Sequence, residues 1–157
     1  MTLRPVTEAD REFLLSVYAS TREDELAQVA WEEGAKEAFL EHQFSAQDHH
    51  YRANYPGATL DVIEVDGEPA GRLYVHRGED EIRIMDIALA PPFRGRGIGT
   101  GLLRGLMTEA AASGRTLSIH VEVNNPARRL YERLGFEPAG EHGVYVLMRW
   151  DQPKTAS

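Results

Sequence analysis

The chain has 157 residues, 42% hydrophobic and 27% charged, which suits one globular domain with a core of its own. Seventeen basic against 25 acidic residues leave a net charge of −8, which disfavours phosphate backbones and argues against a nucleic-acid partner. The absence of cysteine excludes disulfides, Cys-ligated zinc and a thiol nucleophile.

No apolar run approaches the ~18 residues that a membrane span requires. The opening Met1-Thr2-Leu3-Arg4-Pro5 lacks the apolar stretch of a signal peptide. The expectation is a cytoplasmic protein with no membrane partner. Charge is unevenly spread: residues 1–70 hold 5 basic and 15 acidic groups, while residues 71–157 hold 12 and 10.

Leu3 to Val6 predicts a first strand. Thr7 followed by Asp10 is a capping-box spacing and opens a helix to about Ala19. Residues 23–55 are polar and helix-rich. Leu26, Val29, Ala30, Phe39, Leu40 and Phe44 supply apolar faces there at spacings of three and four. Pro56-Gly57 breaks that region. Two strands, Leu60 to Val65 and Ala70 to Val75, join at Asp66-Gly67, a strong hairpin signal. Ile82 to Leu89 is apolar on both faces, as a central strand would be.

A glycine-rich loop then leads into a helix with an apolar stripe of Leu102, Leu103, Leu106, Met107 and Ala110, closed by Ser113-Gly114. Leu117 to Val123 alternates, with Leu117, Ile119, Val121 and Val123 on one face and Ser118, His120 and Glu122 on the other. Ala127, Leu130, Tyr131 and Leu134 mark a short helix, and Val144 to Trp150 is the last strand. The fold class is mixed α/β: a mostly antiparallel sheet, helices on both faces and one parallel central strand pair. Residues 1–151 read as a single domain and 152–157 as a flexible tail.

The most informative segment is Arg94-Gly95-Arg96-Gly97-Ile98-Gly99-Thr100-Gly101, between a central strand and a helix. Glycines admit close backbone approach, and the N–H groups at a helix start attract anions. The ligand that fits is a phosphate or pyrophosphate. A Walker A loop requires Gly-Lys-Ser/Thr, and no lysine lies nearby. A dinucleotide fingerprint requires a different glycine spacing near the start of the fold.

Arg94, Gly97 and Gly99 match an R-x-x-G-x-G pyrophosphate loop for coenzyme A. Ile87 to Gly99 resembles the central motif of the GNAT (general N-acetyltransferase) superfamily. Asn124-Asn125-Pro126-Ala127-Arg128-Arg129-Leu130-Tyr131-Glu132-Arg133-Leu134-Gly135-Phe136 resembles its second motif. The resemblance spans most of the chain and implies an enzyme that moves an acetyl group from acetyl-CoA to a primary amine, directly, in a ternary complex.

It also implies roles. Residues Arg94, Gly95, Arg96, Gly97, Ile98, Gly99 and Thr100 would hold the pyrophosphate. Main-chain groups of Ile87, Ala88 and Leu89 would pair with the pantetheine arm and polarise the thioester carbonyl. Asn124 and Ala127 would touch the cofactor, with Asn124 or Asn125 also suited to cap the helix. Tyr131 matches the usual general acid for the departing thiolate. The base is open among Asp86, Glu122, His120 and a water chain. Arg83 stands where some histone-modifying members carry a glutamate.

No metal is implied: His42, His49 and His50 lack the ligand spacing of a metal site. No G-x-S-x-G elbow occurs. Residues 23–48 carry eight acidic groups against Lys36 alone; the resemblance implies that this region lies beside the acceptor entrance, so a cationic small-molecule or peptide amine is the expected acceptor. Homodimers are frequent among the members that the chain resembles. A non-catalytic acyl-CoA-binding module is the alternative, although it would have no use for a leaving-group acid.

Overall fold

The computed structural model describes residues 1–123 and 125–152. In chain order the elements are β1 (Thr2–Pro5), α1 (Arg11–Thr21), α2 (Glu23–Leu26), α3 (Ala35–Asn54), β2 (Thr59–Val65), β3 (Glu68–Arg77), β4 (Glu81–Leu89), α4 (Ile98–Ser113), β5 (Thr116–Glu122), α5 (Arg128–Arg133), β6 (Glu137–His142) and β7 (Tyr145–Trp150). The strands follow the order β1-β2-β3-β4-β5-β7-β6, and the β4–β5 pair is parallel. This is the mixed, mostly antiparallel sheet expected from the sequence. Among the described residues no helix is long and apolar enough to cross a membrane. The predicted tail lies outside the described residues from Pro153 onward.

The chain divides into two compact units. The first takes Met1–Tyr74 and Ile87–Arg96. Here β1 pairs with β2 in antiparallel register, from Thr2↔Glu64 to Pro5↔Asp61. Asp10 is buried and accepts Thr7 N–H at 2.8 Å, the return half of the predicted capping box. It also accepts both ends of the Arg4 guanidinium, at 2.7 and 2.8 Å, and this pairing holds its carboxyl well below the usual range. One fork thereby ties the first strand to the turn that starts α1.

The core of this unit is Leu14, Tyr18, Leu26, Leu40, Phe44 and Val62. Val29 and Phe39 were expected to join it, but they are 53% and 38% exposed. The reason is local. Helix α2 ends at Leu26, so Val29 falls in irregular chain, and Phe39 turns instead to the Trp31 ring at 5.2 Å. The hairpin turn has both central residues in the left-handed region, Asp66 at φ 52° and Gly67 at φ 79°, as the Asp-Gly pair predicts.

The second unit takes Val75–Asp86 and the chain from Gly97 onward. Helix α4 buries Leu102, Leu103, Leu106 and Ala110 and ends on Gly114 at φ 67°. Strands β4 and β5 pair from Glu81↔Thr116 to Ile84↔Ile119. Past that point β5 continues with β7, as far as Glu122↔Tyr145. Two expectations change here. Ser118, on the polar face of β5, is fully buried, whereas Val123 is 42% exposed because the strand has ended at Glu122. Strand β6 carries no apolar alternation, and its register with β7 shifts between Pro138 and Gly140.

Candidate active site

The loop before α4 owes its shape to two glycines. Gly95 and Gly97 lie at φ 74° and 79°, where a side chain is strained. Nothing stands within 4 Å of the positions that a Cβ would take at Gly95, Gly97 or Gly99. The first N–H groups of a helix have no partner within it and attract anions. Helix α4 is 16 residues long, so the positive end of its dipole lies at this loop. A pyrophosphate fits this arrangement.

The two arginines of the loop differ. Arg94 donates from Nε to Leu89 O at 3.0 Å and from Nη2 to Ser20 Oγ at 2.9 Å. It therefore ties the loop to the end of β4 and to α1, a role that the sequence did not suggest because Ser20 lies 74 residues away. Arg96 stands over the Phe93 ring at 5.3 Å.

The four side chains expected to transfer protons sit in different surroundings. Tyr131, on α5, is 6% exposed and packs against Phe136 with ring centroids 5.8 Å apart. Burial, and then the negative charge of Asp86, push its phenol up to about 12. Tyr131 and Asp86 are thus within electrostatic reach of each other.

His120 belongs to a different group. A guanidinium can only donate, so the 3.1 Å contact from Arg83 Nη1 makes His120 Nδ1 the acceptor. Arg83 also donates from Nε to buried Ser118 Oγ at 2.8 Å and pairs with Glu81 at 2.8 Å. His142 stacks edge-on at 5.8 Å. Partial burial, Arg83 and His142 all lower the pKa of His120. In the Arg83 contact Nδ1 is engaged as the acceptor, which leaves Nε2 as the ring's free nitrogen. Glu122 is half-buried at the end of β5, opposite Tyr145.

Ahead of α5, Asn125 Oδ1 accepts Ala127 N–H at 2.9 Å, an Asx turn; the N-cap position of the helix itself is Ala127, with no side-chain cap. The expected cofactor residue Asn124 lies outside the described residues.

Residues 18–136 match the profile of the Acetyltransferase (GNAT) family. A Bacillus subtilis protein, provisionally named ribosomal protein bS18-alanine N-acetyltransferase, is 32% identical over 111 residues, 65% of this chain and 74% of that protein. The L-2,4-diaminobutyric acid acetyltransferase of Nocardia farcinica is 31% identical over 105 residues, 59% of this chain and 54% of that one. Among solved structures, the PaiA N-acetyltransferase of Thermoplasma acidophilum, in complex with coenzyme A, shares the fold. Its TM-score is 0.71 at 16% identity, over 96% of this chain and 98% of that one. A profile match over most of the chain, and a relative followed along three quarters of its length, place the chain in the Acetyltransferase (GNAT) family, as an acyltransferase that takes its acetyl group from acetyl-CoA.

Proposed function

We propose that residues 1–151 act as one acyltransferase domain that moves the acetyl group of acetyl-CoA to a primary amine of a small molecule or peptide, by direct attack in a ternary complex in the cytoplasm. Both relatives described above are named for acetylating amines, an alanine of a ribosomal protein in one and a diamino acid in the other. The observation that carries the proposal is the burial of Tyr131, 6% exposed beside Phe136. A buried phenol with its pKa at about 12 keeps its proton through the working pH range and has it to give when a thiolate leaves.

Acetyl-CoA, when bound, supplies an activated thioester. The N–H groups of Gly95 to Thr100 hold its pyrophosphate, and main-chain groups of Ile87, Ala88 and Leu89 hold its arm and polarise the thioester oxygen. Ala127 adds a contact from the second motif. Asp86 takes a proton from the acceptor ammonium, so that the neutral amine attacks. Tyr131 gives its proton to the departing sulfur. Asp86 is preferred over His120, whose acceptor nitrogen is engaged by Arg83, with Glu122 as the next candidate. The acceptor is cationic, drawn by exposed Glu32, Glu33, Glu37 and Glu41.

The test is release of free thiol from acetyl-CoA across a panel of polyamines, diamino acids, aminoglycoside-like compounds and alanine-ended peptides. Acceptor-dependent release is expected for at least one cationic amine. Binding of coenzyme A with no release over the whole panel would leave the chain as an acyl-CoA-binding module.

A further inference from the structure

Strand β3 contains a glycine inside a run of buried residues, Ala70 to Val75. Glycine weakens a strand interior and adds nothing to packing, so its presence there marks a bulge or a close backbone approach. The approach is from β4. A Cβ added at Gly71 would overlap the carbonyl oxygen of Ala88 and lie 2.9 Å from the Cα of Leu89 and 3.1 Å from the Ala88 carbonyl carbon. The oxygen is the nearest of these atoms, so the Ala88 C=O bond points into the space that a side chain at 71 would fill.

The neighbouring bonds hold this arrangement. Ala90 N–H donates to Ala70 O at 2.7 Å, and Leu89 O accepts Arg94 Nε at 3.0 Å. In a trans peptide the N–H points opposite to the C=O. With the Ala88 carbonyl aimed at Gly71, the Leu89 N–H is directed away from β3.

The geometry points to Gly71 as a positioning residue: by admitting the Ala88 carbonyl, it orients the Leu89 N–H to donate to the acyl-pantetheine arm. The inference rests on the reading above that Ile87, Ala88 and Leu89 hold that arm. Gly71 itself touches no substrate. Any larger residue at 71 forces the Ala88–Leu89 peptide to rotate or β4 to shift, and the donor loses its aim.

The experiment compares coenzyme A with 3′-phosphoadenosine 5′-diphosphate, which carries the diphosphate and no arm, by calorimetry. The proteins are the wild type, Gly71→Ala and Val62→Ala, the last a core truncation at a fully buried site. Gly71→Ala should weaken coenzyme A at least tenfold and leave the fragment within twofold. Val62→Ala should change neither, which separates positioning from a general loss of stability. An unchanged ratio of the two affinities in Gly71→Ala, or an equal fall of that ratio in Val62→Ala, overturns the inference.

If Gly71→Ala does not fold, amide exchange in the wild type decides. Coenzyme A should slow exchange at Leu89 and the fragment should not. Unchanged exchange at Leu89, with coenzyme A binding more tightly than the fragment, overturns the inference alone. A wild type that binds coenzyme A no more tightly than the fragment overturns the underlying reading of Ile87 to Leu89.

Discussion

Replacing Tyr131 by Phe removes one hydroxyl and keeps the ring that packs against Phe136 at 5.8 Å. Stability near neutral pH should therefore change by no more than about 1 kcal/mol. Catalysis should not be spared. General acids contribute roughly 10²–10⁴-fold, so kcat should fall about a hundredfold or more, with the affinity for acetyl-CoA nearly unchanged.

The pH dependence is a second, independent readout. With its pKa near 12 against an ordinary value of about 10, Tyr131 is ionised to only about 0.1% at pH 9, where a free tyrosine reaches about 10%. Wild-type kcat should show no loss attributable to this group up to about pH 10. The folded pKa is raised, so the stability linked to this proton is fully present below about pH 10 and is lost as pH climbs through the folded value. Two units correspond to about 3 kcal/mol. Denaturant titrations between pH 9 and 12 should show that loss in the wild type and less of it in Tyr131→Phe. A variant with kcat within threefold of wild type would return Tyr131 to a packing role and refute the acid assignment.

Gly97→Val should fold, since no atom crowds the site, yet lose the thermal stabilisation conferred by coenzyme A. A β-branched residue at φ 79° is strained, and its side chain covers the surface offered to the pyrophosphate. An undiminished coenzyme A shift in a folded variant would contradict the loop assignment. Asp86→Asn should lower kcat, with partial recovery at high pH where the amine deprotonates unaided. Because the Asp86 charge is the second cause of the raised phenol, the same change should also bring the ultraviolet titration of Tyr131 down from about 12. A flat response in both would move the base to Glu122 or water. For the acceptor, kcat/KM should fall as salt shortens the Debye length from ~10 Å at 0.1 M to ~3 Å at 1 M. Reversing the charge of Glu32 and Glu33 should lower it further. Rates with the true acceptor that ignore both changes would remove the steering argument.

What could be read along the chain was set by neighbours along the chain. The glycine spacing of residues 95–101, the Asp66-Gly67 turn and the Thr7–Asp10 box depend on local backbone demands, and each lies where the sequence puts it. The stripe on α4 and the alternation of β5 follow from fixed periods. Periodicity could not reveal strand β6, because Glu137–His142 has no alternation of large apolar residues to detect. Burial of Ser118 and exposure of Val29 and Phe39 were also hidden, since they depend on what packs over each residue once the chain has folded.

The chemistry divided in the same way. The motif resemblance gave Tyr131 as the acid and left the base among Asp86, Glu122, His120 and water. Their surroundings depend on contacts between distant segments: Arg83 reaching His120 across 37 residues, Asp86 within electrostatic reach of Tyr131, Arg94 fastened to Ser20. Protonation depends on what a group faces and on how far water is excluded from it. The sequence by itself determined the loop, the motifs and the reaction class. Tertiary structure decided which nitrogen of His120 is engaged, which phenol keeps its proton and why residue 71 is glycine, because those depend on atoms that only folding brings together.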